Sequence, residues 1–110
     1  MRVPNAEKAT VDIRKLTEYL LNPEHEDGQH KARLFRRTLG IGSEGAVELR
    51  EALLRAVRHQ DAVFGRFDRF GQRYTVDFKF QWKGKSAIIR SGWIVEHESD
   101  VPRLTTAYPL

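Results

Sequence analysis

The 110-residue chain has no cysteine. Disulfides and thiolate metal sites are thereby excluded, and a reducing compartment is permitted. No apolar run approaches the roughly 20 residues of a membrane-spanning helix. The opening Met1-Arg2-Val3-Pro4-Asn5 lacks the apolar stretch of a signal peptide. Repeats, low-complexity segments, a phosphate-cradling glycine loop, a nucleophile elbow and a carboxylate pair are all missing. No membrane partner or cofactor is expected, and stability must come from packing.

What is present fits one domain over residues 1–110, with 40% hydrophobic residues. The net charge of +4 suits a phosphate-rich partner, because each neutralised phosphate releases counterions, and it equally suits an ordinary solvated surface.

The first half reads as helical. Asp12 caps a pattern reaching Leu21, with Ile13, Leu16 and Leu20 at helical spacing, and Asn22-Pro23 ends it. A second helix is predicted from about Gln29 to Leu39 with Ala32, Phe35 and Leu39 inward and Gly40 at its end. Ser43 is the expected cap of a third helix ending near His59, with Ala46, Leu49, Leu53 and Val57 inward. After Gln60 the period becomes two. Tyr74, Val76, Phe78, Phe80 and Trp82 alternate with Arg73, Thr75, Asp77, Lys79 and Gln81, the signature of a strand with one buried face. Lys83-Gly84-Lys85 turns the chain into a strand over 86–96, and shorter strands are expected over 63–70 and 103–108. The predicted fold is α+β: two or three N-terminal helices packed on a four-stranded antiparallel sheet, with a second face carrying Arg73, Thr75, Lys79 and Arg90.

Two segments can carry chemistry. The polar stretch from Asn22 to Lys31 holds His25 and His30, and on the following helix His30, Arg33 and Arg37 share one face. An imidazole moves a proton near neutral pH while guanidinium groups hold a phosphodiester. The same face is also what a solvated helix presents. Its carboxylates match neither the His-Glu-x-x-His zinc pattern nor a calcium loop. The second segment is Pro102 to Pro109. Adjacent Thr105 and Thr106 face opposite sides of a regular strand, so one would lie on the open face with Arg90 or Arg103. Threonine is also simply a good strand former. Trp82, Trp93 and Phe78 sit at strand spacing and read as core rather than base-stacking platforms.

Several blocks resemble a family of bacterial domains found free-standing and at the ends of longer polypeptides. They are Asn5-Ala6, Lys15-Leu16, Tyr19-Leu20-Leu21-Asn22-Pro23 with His25, and Gly28 with His30-Lys31-Ala32 and Phe35. The match continues through Gly71 to Val76, Trp93-Ile94-Val95 and Pro102 to Pro109. The layout is similar to the barnase, EndoU, colicin and RelE group of ribonuclease toxins, an associational argument. That resemblance implies metal-independent cleavage of RNA by the ribose 2′-hydroxyl. It points to His30, Lys31, Arg90, Thr105, Thr106 and Tyr108 for catalysis, with Arg103 and His25 on the substrate, while the helix and sheet faces add Arg33, Arg37 and Arg73 as RNA contacts. It also implies a small acidic immunity or antitoxin partner and action in the cytoplasm, the chain's own or a target cell's. One departure is that the sheet supplies no histidine except His97, in a turn. The alternative is a non-catalytic module that binds protein or nucleic acid.

Overall fold

The computed structural model describes residues 1–110. A 3-10 turn at Ala6–Lys8 and a short helix over Lys15–Leu20 precede α1 (Gln29–Leu39) and α2 (Ala46–His59). Strands β1 (Val63–Asp68), β2 (Gly71–Trp82), β3 (Lys85–Glu96) and β4 (Arg103–Pro109) follow as an antiparallel meander, adjacent in the order of the chain.

The helical half departs from expectation at its first helix. Lys15–Leu20 is a π-helix, in which the Leu21 N–H reaches back five residues to the Leu16 carbonyl. Such wider turns re-aim side chains and concentrate at functional sites. The second helix begins and ends as predicted, and Gly40 takes φ 69°, the left-handed conformation that glycine adopts without strain. Ser43 does not cap the third helix. It opens a 3-10 turn, Ser43–Gly45, and the Glu44 carboxylate accepts the Gly42 N–H instead.

The alternation in β2 works as read. Tyr74, Val76, Phe78 and Phe80 are buried, and β3 answers in register: Tyr74 faces Trp93, Val76 faces Ser91 and Phe78 faces Ile89. These side chains meet Leu16, Leu20, Phe35, Leu39, Leu49 and Leu53 in one core. Removing such residues from water at about 25 cal/mol per Å² is what holds a domain without cross-links together. Lys83 and Gly84 both have positive φ (45° and 85°), as a two-residue hairpin with right-handed strand twist requires.

The sheet's two edges differ. At β4, Thr10 forms a parallel bridge to Arg103, its N–H on the Pro102 carbonyl and its own carbonyl taking the Leu104 N–H. At the other edge β1 pairs only with Gly71 to Thr75 of β2, so the half of β2 beyond Thr75 has β3 alone as neighbour.

Candidate functional site

The π-helix, the loop before α1 and the start of β4 enclose an open cleft of about 800 Å³. Thr10, Asp12, Arg14, Lys15, Tyr19, His25 and Arg103 are among its lining residues. Tyr19 is at its centre. The Lys15 ammonium sits 5.3 Å from the Tyr19 ring centroid, and the Lys31 ammonium 5.8 Å from it. Both are within cation–π range. The His25 ring meets the same tyrosine edge-on at 4.9 Å.

Backbone packing makes this convergence possible. Gly28 lies against the Tyr19 backbone so closely that a Cβ there would collide with the Tyr19 carbonyl. A glycine therefore lets the start of α1 press on the π-helix, which turns Lys31 toward Tyr19. His25 fixes the same junction: its Nδ1 accepts the Asp27 and Gly28 N–H groups, each at 3.0 Å. Nδ1 is thereby an acceptor and the ring proton of the neutral imidazole lies on Nε2. In this arrangement His25 offers the cleft a donor and braces the loop before α1, and its basic lone pair is already used.

Lys15 is the most perturbed cation of the group. Burial pushes its ammonium below the usual lysine value, and the Arg103 and Lys31 charges push in the same direction. Arg103 engages Glu96 through Nε at 2.6 Å and holds that carboxyl low. Asp12 is held low by Arg14, which donates to it from Nε at 3.2 Å and Nη2 at 2.8 Å.

The remaining residues singled out by sequence are distributed differently. His30 is exposed on the first turn of α1, beside Lys31. Arg33 donates to Gln29 at 3.0 Å, and Arg33 and Arg37 border a separate small cleft with Pro23 and Arg36. Arg90 lies on the sheet face opposite the helices, gripped by Asp77 through two hydrogen bonds of 2.9 and 2.8 Å. That pairing, with Tyr108 opposite in register, holds the guanidinium charged and the Asp77 carboxyl low. Arg73 shares Asp68 with Arg66. Thr105 and Thr106 are not on opposite sides, because an irregularity between Gly92 and Trp93 breaks the β3–β4 register. Both threonines border the space above Gly92. The structure thus unites His25 and Arg103 in one cleft, with Lys31 beside it against the Tyr19 ring, and places Arg90, Thr106 and Tyr108 on the far face of the sheet from His30.

Lys15 and Tyr19 were absent from the sequence-derived site. The signal was a lysine and a tyrosine four apart, which helical spacing puts on one face; next to Leu16 and Leu20 it reads as amphipathic packing.

Among solved structures, one described as a contact-dependent growth inhibition toxin–immunity protein complex from Klebsiella pneumoniae 342 contains a chain similar to this one. The TM-score is 0.69 at 19% identity, covering 94% of this chain and 95% of that one. The likeness is one of fold. No curated protein matches the sequence. The family model described as domain of unknown function (DUF6883) matches residues 2–110, and the chain belongs to that family.

Proposed function

We propose that the chain is the ribonuclease domain of a toxin, cutting RNA by metal-independent attack of a ribose 2′-hydroxyl on the adjacent phosphorus. The observation that carries this reading is the Lys15–Tyr19–Lys31 stack with Arg103 at the rim of the same cleft. The toxin–immunity complex that contains a chain of this fold lends the toxin setting.

Lys15, with its lowered proton affinity, is the general base: its neutral amine takes the 2′-hydroxyl proton as the oxygen attacks. The Lys31 ammonium and the Arg103 guanidinium stabilise the charge gathering on the pentavalent phosphorane. As the P–O5′ bond breaks, the leaving oxygen takes a proton from the Lys31 ammonium. The products are a 2′,3′-cyclic phosphate and a 5′-hydroxyl end. The His25 Nε2–H donates to a non-bridging phosphate oxygen. Tyr19 holds the two ammonium groups apart. His30, Arg33 and Arg37 extend the cationic surface along the approach of the RNA. Arg90, Arg73, Thr105 and Tyr108 contact flanking nucleotides across the sheet, and Thr106, whose hydroxyl is buried, shapes that patch from beneath. An acidic immunity protein seated over the lysine cleft would block it by charge and bulk.

The test is incubation of the intact protein with cellular RNA in the presence of EDTA. Fragments ending in 2′,3′-cyclic phosphate are expected, and they should vanish in Lys31→Met. Intact RNA, together with unimpaired growth of cells expressing the protein, would overturn the proposal.

A further inference from the structure

A second groove lies at the opposite corner of the molecule. It has a volume of about 700 Å³ and runs between the last turns of α2 and the part of β2 that β1 leaves uncovered. Ala52 and Ala56 keep the helix side shallow, and Phe78 and Phe80 form the floor. Arg55, His59 and Gln60 stand on the helix side, and Lys79 and Gln81, which alternate to the other face of β2, border it at the strand edge. No carboxylate lines it. None of the three basic side chains makes an ion pair or hydrogen bond with the rest of the protein, unlike Arg66, Arg73, Arg90 and Arg103, each of which holds an acid. Arg55, His59 and Lys79 are therefore free for an external anion, as are Lys15 and Lys31 at the other cleft.

The floor decides which kind of anion. Phe78 and Phe80 are already buried, so a protein docking here would gain little apolar area and would lack the hydrophobic centre on which protein interfaces rely. What remains is Arg55 and His59 on the helix side and Lys79 across the strand edge, with the Gln60 and Gln81 amides as donors, beside an unpaired stretch of β2. That chemistry matches the evenly spaced phosphates of a single-stranded nucleic acid.

We infer that the α2–β2 groove is an auxiliary site for the phosphate backbone of single-stranded RNA, separate from the lysine cleft; the inference rests on the ribonuclease reading for its choice of RNA. Register gives the separation. Arg103 is level with Ile94 and Arg73, whereas Lys79 is six residues further along β2 and two strands over. That is ~20 Å along the strands and ~10 Å across them. A dinucleotide in the cleft does not reach the groove, and a longer strand does.

The experiment compares the full-length wild type with Arg55→Gln/Lys79→Gln, using a non-cleavable 2′-O-methyl oligouridylate for binding and the dinucleotide UpA for cleavage. Loss of two phosphate contacts should lower the slope of log K against log salt by about 1.4, with affinity down about tenfold at low salt. UpA turnover should not change. His59→Gln serves as the second variant if the double variant melts early. An unchanged slope and affinity would overturn the inference. So would polyglutamate binding that the variant abolishes while oligouridylate affinity stays intact, because the groove would then serve an acidic protein. If the wild type fails to cut UpA or cellular RNA, the catalytic reading falls on its own, and the salt slope still decides the groove.

Discussion

Ser91 offers a quantitative test of how the sheet carries its largest buried side chain. It is the one fully buried polar residue, and its hydroxyl donates to the Val76 carbonyl at 2.7 Å. It also accepts the Trp93 indole N–H at 2.9 Å. Trp93 itself is 0% exposed, so water cannot replace that acceptor. Ser91→Ala forfeits both bonds and strands a buried donor, at a cost of about 1–3 kcal/mol for the unsatisfied group and a further ~1 kcal/mol for the bond to Val76. The expected loss is therefore about 2–4 kcal/mol, or a fall in melting temperature of roughly 10 °C or more for a domain near this size. Urea titration followed by far-UV circular dichroism should show a lower midpoint with unchanged slope. In the background of Trp93→Phe, where the donor no longer exists, Ser91→Ala should cost at least ~1 kcal/mol less. Additivity of the two changes within ~0.5 kcal/mol would refute the coupling.

Two other predictions follow from the same geometry. Gly28→Ala should destabilise the fold by about 1–3 kcal/mol, because the new methyl meets the Tyr19 backbone; a melt matching wild type would show that α1 and the π-helix can separate at no cost. Asp68 is held well below the usual carboxylate range by Arg66, then by the Phe70 N–H and Arg73. A depressed carboxyl contributes stability that is fully present above its unfolded value of 3.8 and is lost as pH falls below it. Asp68→Asn should therefore flatten the acid limb of the stability–pH profile, and an unchanged limb would count against this pairing as a determinant.

Most of the fold was legible because its signals are local. Strict alternation from Arg73 to Trp82 fixes the buried face of β2, and Lys83-Gly84 fixes the hairpin and therefore the register with β3. The π-helix was not legible: Leu16 and Leu20 are four apart, a spacing that an α-turn satisfies equally. Nor was the irregularity at Gly92, since the residues of β3 and β4 carry no local signal for the extra residue in their pairing. Those two features decide the site. One forms the wall that carries Lys15 and Tyr19; the other turns both threonines to the same patch. His25, Lys31 and Arg103 could be named from sequence, but the approach of His25 and Lys31 to Tyr19 depends on Gly28, whose role is a missing side chain that leaves no chemical signature.

The most direct test of the account is single-turnover cleavage of a short RNA by wild type, Lys15→Met and Lys15→Arg, with RNA affinity measured in parallel. Wild-type cleavage should rise with pH and level off below the ordinary lysine value of 10.5, following the lowered proton affinity of Lys15. Lys15→Met should slow cleavage by about 10²–10⁴-fold. Lys15→Arg, which keeps the charge and cannot shed its proton, should be equally slow with affinity retained. Cleavage by Lys15→Arg at the wild-type rate and pH profile would contradict the role assigned to this amine.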